Sequence, residues 1–341
     1  MKKTYDYTAK NLVRGHWFGF LPNEIPDDSK ILYLPGLQNL ELPGYQARKI
    51  DSSNLFGVER DKKIARAIIR SGRDVPENQF QLFEGNVAEF VDNFKEAHPD
   101  KKLFAANLDF EGIVLTAAQE IMRVFEIFPD QEDGYLGITT FASREVEMFT
   151  EGMLALSVAK SVLGAAQFME QLGRVYRQGA AYCSAMESNA TPQNFASREF
   201  FMLVLLARAI VTGQSIRDPE AKKFVLDFDL ELEKIRKEIG VFDSASELAH
   251  SRMIFVENAK LKTMFENILV DVWPLKLERY LYLSRSGGRM QVCFVKFCRV
   301  EDTEDNPTLA DVLEQFVELF VRMPIIQIDS MGTEIAINPR V

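Results

Sequence analysis

Ile31-Leu32-Tyr33-Leu34 running into Pro35-Gly36-Leu37-Gln38, followed by Asn54-Leu55-Phe56-Gly57-Val58-Glu59, is the stretch that decides how this chain folds. Both apolar runs are short and stop at turn-forming or polar residues, the pattern of buried strands. The second opens directly into a helical pattern, Arg60 to Ser71. Gln79 to Phe83 follows and ends at Glu84-Gly85-Asn86. Lys102 to Ala106 comes next and ends at Asn107-Leu108-Asp109-Phe110-Glu111-Gly112. Strand, loop, strand, helix, strand, helix, strand predicts a parallel α/β sheet whose carboxyl edge carries a nucleotide-like ligand. An acid at the tip of the second strand, roughly 20 residues beyond the first loop, sits where it accepts both hydroxyls of a ribose. Glu59 is that acid.

The bulk numbers narrow the class. A chain of 341 residues with 47% hydrophobic and 26% charged side chains is globular and buries one large core or two smaller ones. A net charge of −10 argues against general nucleic-acid binding, which shows a basic footprint, though not against a local basic strip. Cys183, Cys293 and Cys298 form no paired motif, so neither a disulfide scaffold nor a zinc site is expected and a reducing compartment is. His16, His98 and His250 lie apart with no ligand spacing, and no metal is expected. Met1 to Asp6 lacks the apolar stretch of a signal peptide, and the longest apolar run, Phe200 to Leu206, is too short for a bilayer. The expectation is a soluble, cytoplasmic protein without a membrane partner.

Four segments follow from the patterning. Residues 1–29, with Tyr5, Tyr7, His16, Trp17, Phe18 and Phe20, form a leader that covers the sheet. Residues 30–149 hold the α/β unit, with a fifth strand at Gly134 to Phe141 behind an Asp-Gly turn. Residues 150–275 carry helical periodicity through Met148 to Tyr176, Ser197 to Val211, Lys222 to Ile239 and Ser246 to Val272, the last with a helix start at Ser244 or Ser246. This is longer than an ordinary crossover, so it is an insertion or helical subdomain. Residues 276–341 return to strand: Tyr280 to Leu283 and Met290 to Phe297 make a hairpin around Ser286-Gly287-Gly288. An amphipathic helix, Pro307 to Val321, and a second hairpin around Met331-Gly332 end the chain.

Five α/β strands, a helical interruption and a late antiparallel hairpin resemble a class I S-adenosylmethionine-dependent methyltransferase, in which an antiparallel strand pair ends a Rossmann-like sheet. The likeness covers 30–145 and 279–300, under half the chain. The runs Asn107-Leu108-Asp109-Phe110-Glu111-Gly112 and Ser286-Gly287-Gly288 are similar to those of divergent members from bacteria and their viruses. The resemblance implies S-adenosylmethionine as cofactor. It places the loop Leu34, Pro35, Gly36, Gln38 beneath the methionine part, Glu59 with Arg60 beside it on the ribose, Asn86 facing the adenine, and Asn107, Asp109 and Phe110 beside the methyl group. Two departures stand out. The family's first motif reads acid-x-Gly-x-Gly, and here the acid position is Tyr33 and the first glycine position is Pro35, which has no N–H. The fourth-strand motif is Asn-Leu-Asp-Phe rather than Asn-Pro-Pro-Tyr.

Each of these residues also has a bland reading. Glu59 is equally an acid favoured by a helix dipole, Asp109 and Asn107 turn formers, Phe110 a core residue and Gly36 an ordinary loop glycine. Asp61 reads as a helix cap. Arg144 meets a phosphate or carboxylate, or pairs at a helix start. Arg174, Arg177, Arg198 and Arg208 mix with Tyr176 in a way that suits nucleic acid, or form a solvated helix face. Three functions are therefore open: a methyltransferase acting on a nucleic acid or protein, with the helical region for substrate selection or for pairing of copies; a catalytically inactive methyltransferase-like binding or assembly protein; and a dinucleotide-dependent oxidoreductase, ranked last because Gly-x-Gly-x-x-Gly is absent.

Overall fold

The computed structural model describes residues 6–72, 80–110, 112–128, 133–142, 149–185, 191–240, 257–300 and 306–337. Arg144, Glu111, His250 and the Ser244/Ser246 helix start lie outside them. The chain divides into two compact units: a sheet unit of Met1–Ala142, Leu275–Cys298 and Ile326–Ile335, and a helical unit of Ser143–Pro274, Arg299–Ile325 and Ala336–Val341.

The sheet runs through β1 (Lys30–Tyr33), β2 (Leu55–Glu59), β3 (Gln81–Glu84), β4 (Leu103–Asp109), β5 (Gly134–Phe141), β6 (Val272–Leu283), β7 (Arg289–Arg299), β8 (Ile325–Ile328) and β9 (Glu334–Ile337). Their spatial order is β3-β2-β1-β4-β5-β7-β6-β8-β9. The first five are parallel to their neighbours, and β7 then pairs antiparallel with β5, from Gly134 opposite Phe297 to Phe141 opposite Met290. This is the Rossmann-like sheet expected from the sequence, parallel strands with a late antiparallel hairpin. The register is set by apolar runs with no polar face to offer solvent: Ile31, Leu32 and Tyr33 are 0% exposed, as are Leu103, Ala105, Ala106 and Leu108. Ile31 faces Leu55 on one side and Ala105 on the other.

The helices α1 (Thr8–Phe20), α2 (Leu42–Ala47), α3 (Lys62–Gly72), α4 (Val87–Ala97) and α5 (Val114–Val124) belong to the sheet unit. The helix of α3 begins at Lys62, not at Arg60, because Asp61 is its cap: its carboxylate accepts the N–H groups of Lys63 at 2.7 Å and Ile64 at 3.3 Å. The segment read as a leader is largely the helix α1. Its Trp17 is buried, donates through Nε1 to the Tyr45 hydroxyl at 3.0 Å and packs 5.3 Å from Phe294, while Phe20 meets Tyr135 edge-on.

In the helical unit the long run from Met148 is two helices, α6 (Phe149–Leu163) and α7 (Ala165–Ala185). Gly164 between them takes φ +78, a conformation that stops a helix and that glycine adopts without a Cβ penalty. α8 (Pro192–Gln214), α9 (Pro219–Gly240), α10 (Ala259–Asn267) and α11 (Leu309–Arg322) complete the described helices. The last periodic stretch therefore stops at Asn267, and β6 starts at Val272, ahead of the hairpin residues Tyr280 to Leu283. The apolar run Phe200 to Leu206 makes α8 a buried helix, packed by α6, α7, α9 and α11. Arg198 is no solvated cation: it is 3% exposed, paired with Glu199 at 3.0 Å and set against the rings of Tyr182 and Phe195. Arg174 and Arg208 pair with Glu170 and Asp229. Among the described residues no helix is long and apolar enough to cross a membrane.

α9 is tied to α10 through Glu231. Its carboxylate accepts from Lys234, Lys260 and the Asn258 amide, and these bonds lower its pKa to about 2. A depressed folded-state pKa contributes stability above the ordinary carboxylate range and loses it as pH falls toward 2. Because both lysines are half exposed, the effect is discounted for solvent. Glu231→Gln is expected to lower the melting midpoint at pH 7 by about 2 °C. Calorimetric scans from pH 7 to pH 3 should show that gap closing.

Candidate functional site

Register brings the strand tips to one level. Tyr33 lies opposite Gly57 on one side and Asn107 on the other, so two residues further on Pro35, Glu59 and Asp109 emerge together at the carboxyl edge. Around them lies a cleft of ≈ 780 Å³, within the range of small-molecule sites. Leu34, Pro35, Gly36 and Gln38 line it from the β1 loop, Glu59 and Arg60 from the end of β2, Asn86 from the end of β3, and Asp109 and Phe110 from the end of β4. Gly36 holds φ +54, which the loop needs to turn and which favours glycine. Asn107 does not reach the cleft. It is buried, 6% exposed, and lines a smaller nook of ≈ 10 Å³ that shares Lys10, Arg14, Glu41 and Asp109 with the cleft.

Glu59 is half-buried, and that burial raises its pKa. Oε1 accepts the Asp61 N–H at 2.8 Å, which fixes the carboxylate at the strand tip. Asn86 is the cap of α4. Its Oδ1 accepts the Glu89 N–H at 2.8 Å, and Glu89 Oε2 accepts the Asn86 N–H at 2.9 Å. Glu120, also on the cleft wall, accepts the Val87 N–H at 3.0 Å. Arg60 is exposed in the turn between β2 and α3. Phe110 is held by its backbone, whose N–H donates to the Thr139 carbonyl at 2.9 Å, and its ring is partly exposed at the cleft.

Two functional side chains carried no sequence signal. Lys10, on α1, pairs with Asp109 at 2.5 Å, with side chains 10% and 17% exposed. Glu41 stands at the start of α2, 6% exposed, and accepts from the Asn107 amide at 3.2 Å. Burial and the Asp109 charge push its pKa up to about 7, against Arg14, Asn107 and Lys10, which lower it. Neither residue sits at a strand tip or in a motif. Only the fold of α1 over the strand ends, and of the β1 loop back on itself, brings them in.

The arrangement offers a cleft with a carboxylate at each end. Glu59 can accept a pair of hydroxyls. At the β4 end, Asp109, Glu41, Lys10 and the Asn107 amide make a partly dehydrated polar cluster that can orient a charged or hydrogen-bonding group.

No family model matches the chain, and no curated protein matches it in sequence. Several solved structures are similar in the course of the chain. TYW2 of M. jannaschii, in complex with AdoMet, is 8% identical with a TM-score of 0.36, over 87% of this chain and 80% of that one. The O-methyltransferase from Bacillus cereus in complex with SAH is 10% identical with a TM-score of 0.34, over 86% and 93%. The cyclopropane synthase MmaA2 from Mycobacterium tuberculosis is 12% identical with a TM-score of 0.31, over 87% of each chain.

The cap geometry makes Asn86 separable from any ligand role. Asn86→Ala should destabilise the protein by about 1 kcal/mol through loss of the cap, whereas Asn86→Asp keeps the acceptor and the stability. Urea titration of the three proteins checks this; equal midpoints for all three would contradict the capping assignment.

Proposed function

We propose that this chain is an S-adenosylmethionine-dependent methyltransferase. The observation that carries the reading is the cleft itself: three parallel strands end at one level around it, with the half-buried Glu59 at the tip of β2. Its volume and its chemistry suit a nucleoside cofactor. The apolar and neutral loop Leu34 to Gln38 would lie beneath the methionine part, Glu59 and Arg60 would take the ribose, and Asn86 would border the adenine. When bound, the cofactor supplies a methyl group activated on a sulfonium sulfur. Asp109 and Phe110 then border the acceptor, with Asn107 positioning the Glu41 carboxylate behind them, and a carboxylate there holds the proton that a nitrogen or oxygen acceptor gives up.

The acceptor is read as a nucleic acid or a protein. Among the described lining residues five carboxylates outnumber three cations, and the net charge is −10, which favours the protein. The helical unit is read as the part that selects the substrate or pairs copies of the chain, and the cytoplasm as its compartment.

A second reading has its own support. Pro35 offers the cofactor no N–H, and Lys10 already occupies Asp109. Both features suit a methyltransferase-like module that binds or assembles without transferring a methyl group.

Thermal melting with S-adenosylhomocysteine separates the two readings. A ligand that binds only the folded state at a hundredfold excess over Kd adds about 2.7 kcal/mol, so the midpoint should rise by several degrees. Glu59→Ala should abolish the rise. A midpoint unmoved by S-adenosylhomocysteine, with S-adenosylmethionine silent by calorimetry, would favour the inactive module.

A further inference from the structure

Four carboxylates besides Glu41 line the cleft among the described residues, and the structure accounts for each. Asp61 caps α3. Glu120 accepts the N–H of Val87 at the start of α4. Asp109 is paired with Lys10 at 2.5 Å. Glu59 stands at the far strand tip with the Asp61 N–H on one oxygen. Glu41 is different. It is the most deeply buried of the five, and it accepts from the Asn107 amide at 3.2 Å and from the Tyr45 hydroxyl. The Tyr45 oxygen is itself satisfied by Trp17 Nε1, which aims its hydroxyl proton at Glu41.

The charged and titratable groups facing Glu41 come from every element packed on it: Asp109 from β4, Lys10 and Arg14 from α1, Tyr45 from α2 and Tyr33 from β1. The like charge of Asp109 opposes ionisation of Glu41, and Arg14 and Lys10 each favour it less strongly. A buried carboxylate in this position is stabilised by a cation arriving from the cleft. S-adenosylmethionine carries a sulfonium, an α-ammonium and an α-carboxylate at one end, net positive, while its adenosine end is neutral.

We infer that the Glu41 carboxylate is the counter-ion for the α-ammonium of the cofactor's amino-acid end, a role that rests on the cofactor reading above. It fixes the direction of binding: the ammonium lies toward α1 and β4, the ribose toward Glu59. It also makes cofactor binding depend on the protonation of Glu41, because only the ionised carboxylate holds the cation. Burial and Asp109 raise the Glu41 pKa to about 7, so affinity should climb through neutrality.

The test is isothermal titration calorimetry with two probes at pH 6, 7 and 8. S-adenosylhomocysteine has the α-ammonium and α-carboxylate; 5′-methylthioadenosine has the same nucleoside and thioether without either. An ionised Glu41 attracts the ammonium and repels the carboxylate, so only the ammonium makes affinity rise with pH. S-adenosylhomocysteine should bind the wild-type protein about tenfold more tightly at pH 8 than at pH 6, as a group with a pKa near 7 goes from mostly protonated to mostly ionised. 5′-Methylthioadenosine should bind equally at all three. Glu41→Gln should bind S-adenosylhomocysteine about tenfold more weakly than wild type at pH 8, with no pH dependence, and 5′-methylthioadenosine as before. The wild-type series needs no variant, and 5′-methylthioadenosine binding by Glu41→Gln reports an intact cleft. Equal pH responses of the two probes, or wild-type affinity of Glu41→Gln for S-adenosylhomocysteine, would overturn the role of Glu41 and leave the cofactor reading standing. Failure of both probes to bind the wild-type protein would overturn the cofactor reading, and this inference with it.

Discussion

β1 has parallel partners on both edges and apolar cover on both faces, and the rest of the sheet unit is arranged around that constraint. Its backbone groups are spent on β2 and β4, and Ile31, Leu32 and Tyr33 have no contact with solvent. Parallel neighbours cannot be joined by a hairpin; each needs a crossover that returns the chain to the same starting edge. The strands therefore all end on one side. From β1 the chain moves outward to β2 and β3, then returns to place β4 on the other flank. At that reversal the outgoing loops diverge and leave a crevice between the tips of β1 and β4. The cleft is thus a consequence of strand order, and the side chains that border it are whatever the sequence places two residues past the Tyr33 level.

What it places there is a concentration of like charge. Glu59, Glu41 and Asp109 stand around one concave, partly dehydrated surface, where ionised carboxylates are costly. The structure meets that cost in three ways. Glu59 takes a backbone N–H. Asp109 takes an ammonium from α1. Glu41 takes the Asn107 amide, and burial with the Asp109 charge raises its pKa. The ion pair to Lys10 also gives α1 a polar anchor to match its apolar one, since Trp17 and Phe20 on the same helix pack against Phe294 and Tyr135. Burying such a pair returns little net stability, because desolvation offsets much of the attraction. Its effect is on position: α1 is fixed over the β4 end of the cleft.

These two layers differ in how far the sequence reveals them. The strands were legible because their signal is local: Leu55 to Val58 is apolar and β-prone in any context, and Asp61 precedes its helix by the offset that a cap requires. The late hairpin was legible for the same reason, through Ser286-Gly287-Gly288. Where two signals compete, the local reading blurs. Periodicity ran unbroken through Gly164, because a glycine inside an apolar stripe does not announce a positive φ. Arg198 looked like a surface cation because nothing nearby in the sequence says that Tyr182, Phe195 and Glu199 will enclose it. The candidate site divides on the same line. Leu34 to Gln38, Glu59, Asn86 and Asp109 were found from strand ends. Lys10 and Glu41 were not, since a helix ahead of the sheet and a loop that folds back are tertiary facts. Asn107 was found, but one layer deeper than its strand-tip position implied, as a donor to Glu41.

The proline at the turn after β1 is the sharpest departure from the resemblance, and the packing beneath it bears on what the departure means. A bulky ring at Pro35 would be expected to fill the crevice that a glycine leaves open. Instead Pro35 is buried against Gly57 of β2, where an added Cβ would come within 3.1 Å of the proline Cγ and 2.5 Å of the Phe80 ring. The absence of a side chain at Gly57 leaves the room that the proline ring occupies. Gly36 then takes the positive φ that carries the loop away from the strand tips. The cleft keeps its ≈ 780 Å³ with proline present. Proline offers no N–H at this position, and the room remains. The loss of the usual glycine pattern therefore marks a change in how the loop is supported, and is not by itself a sign that the cleft has closed.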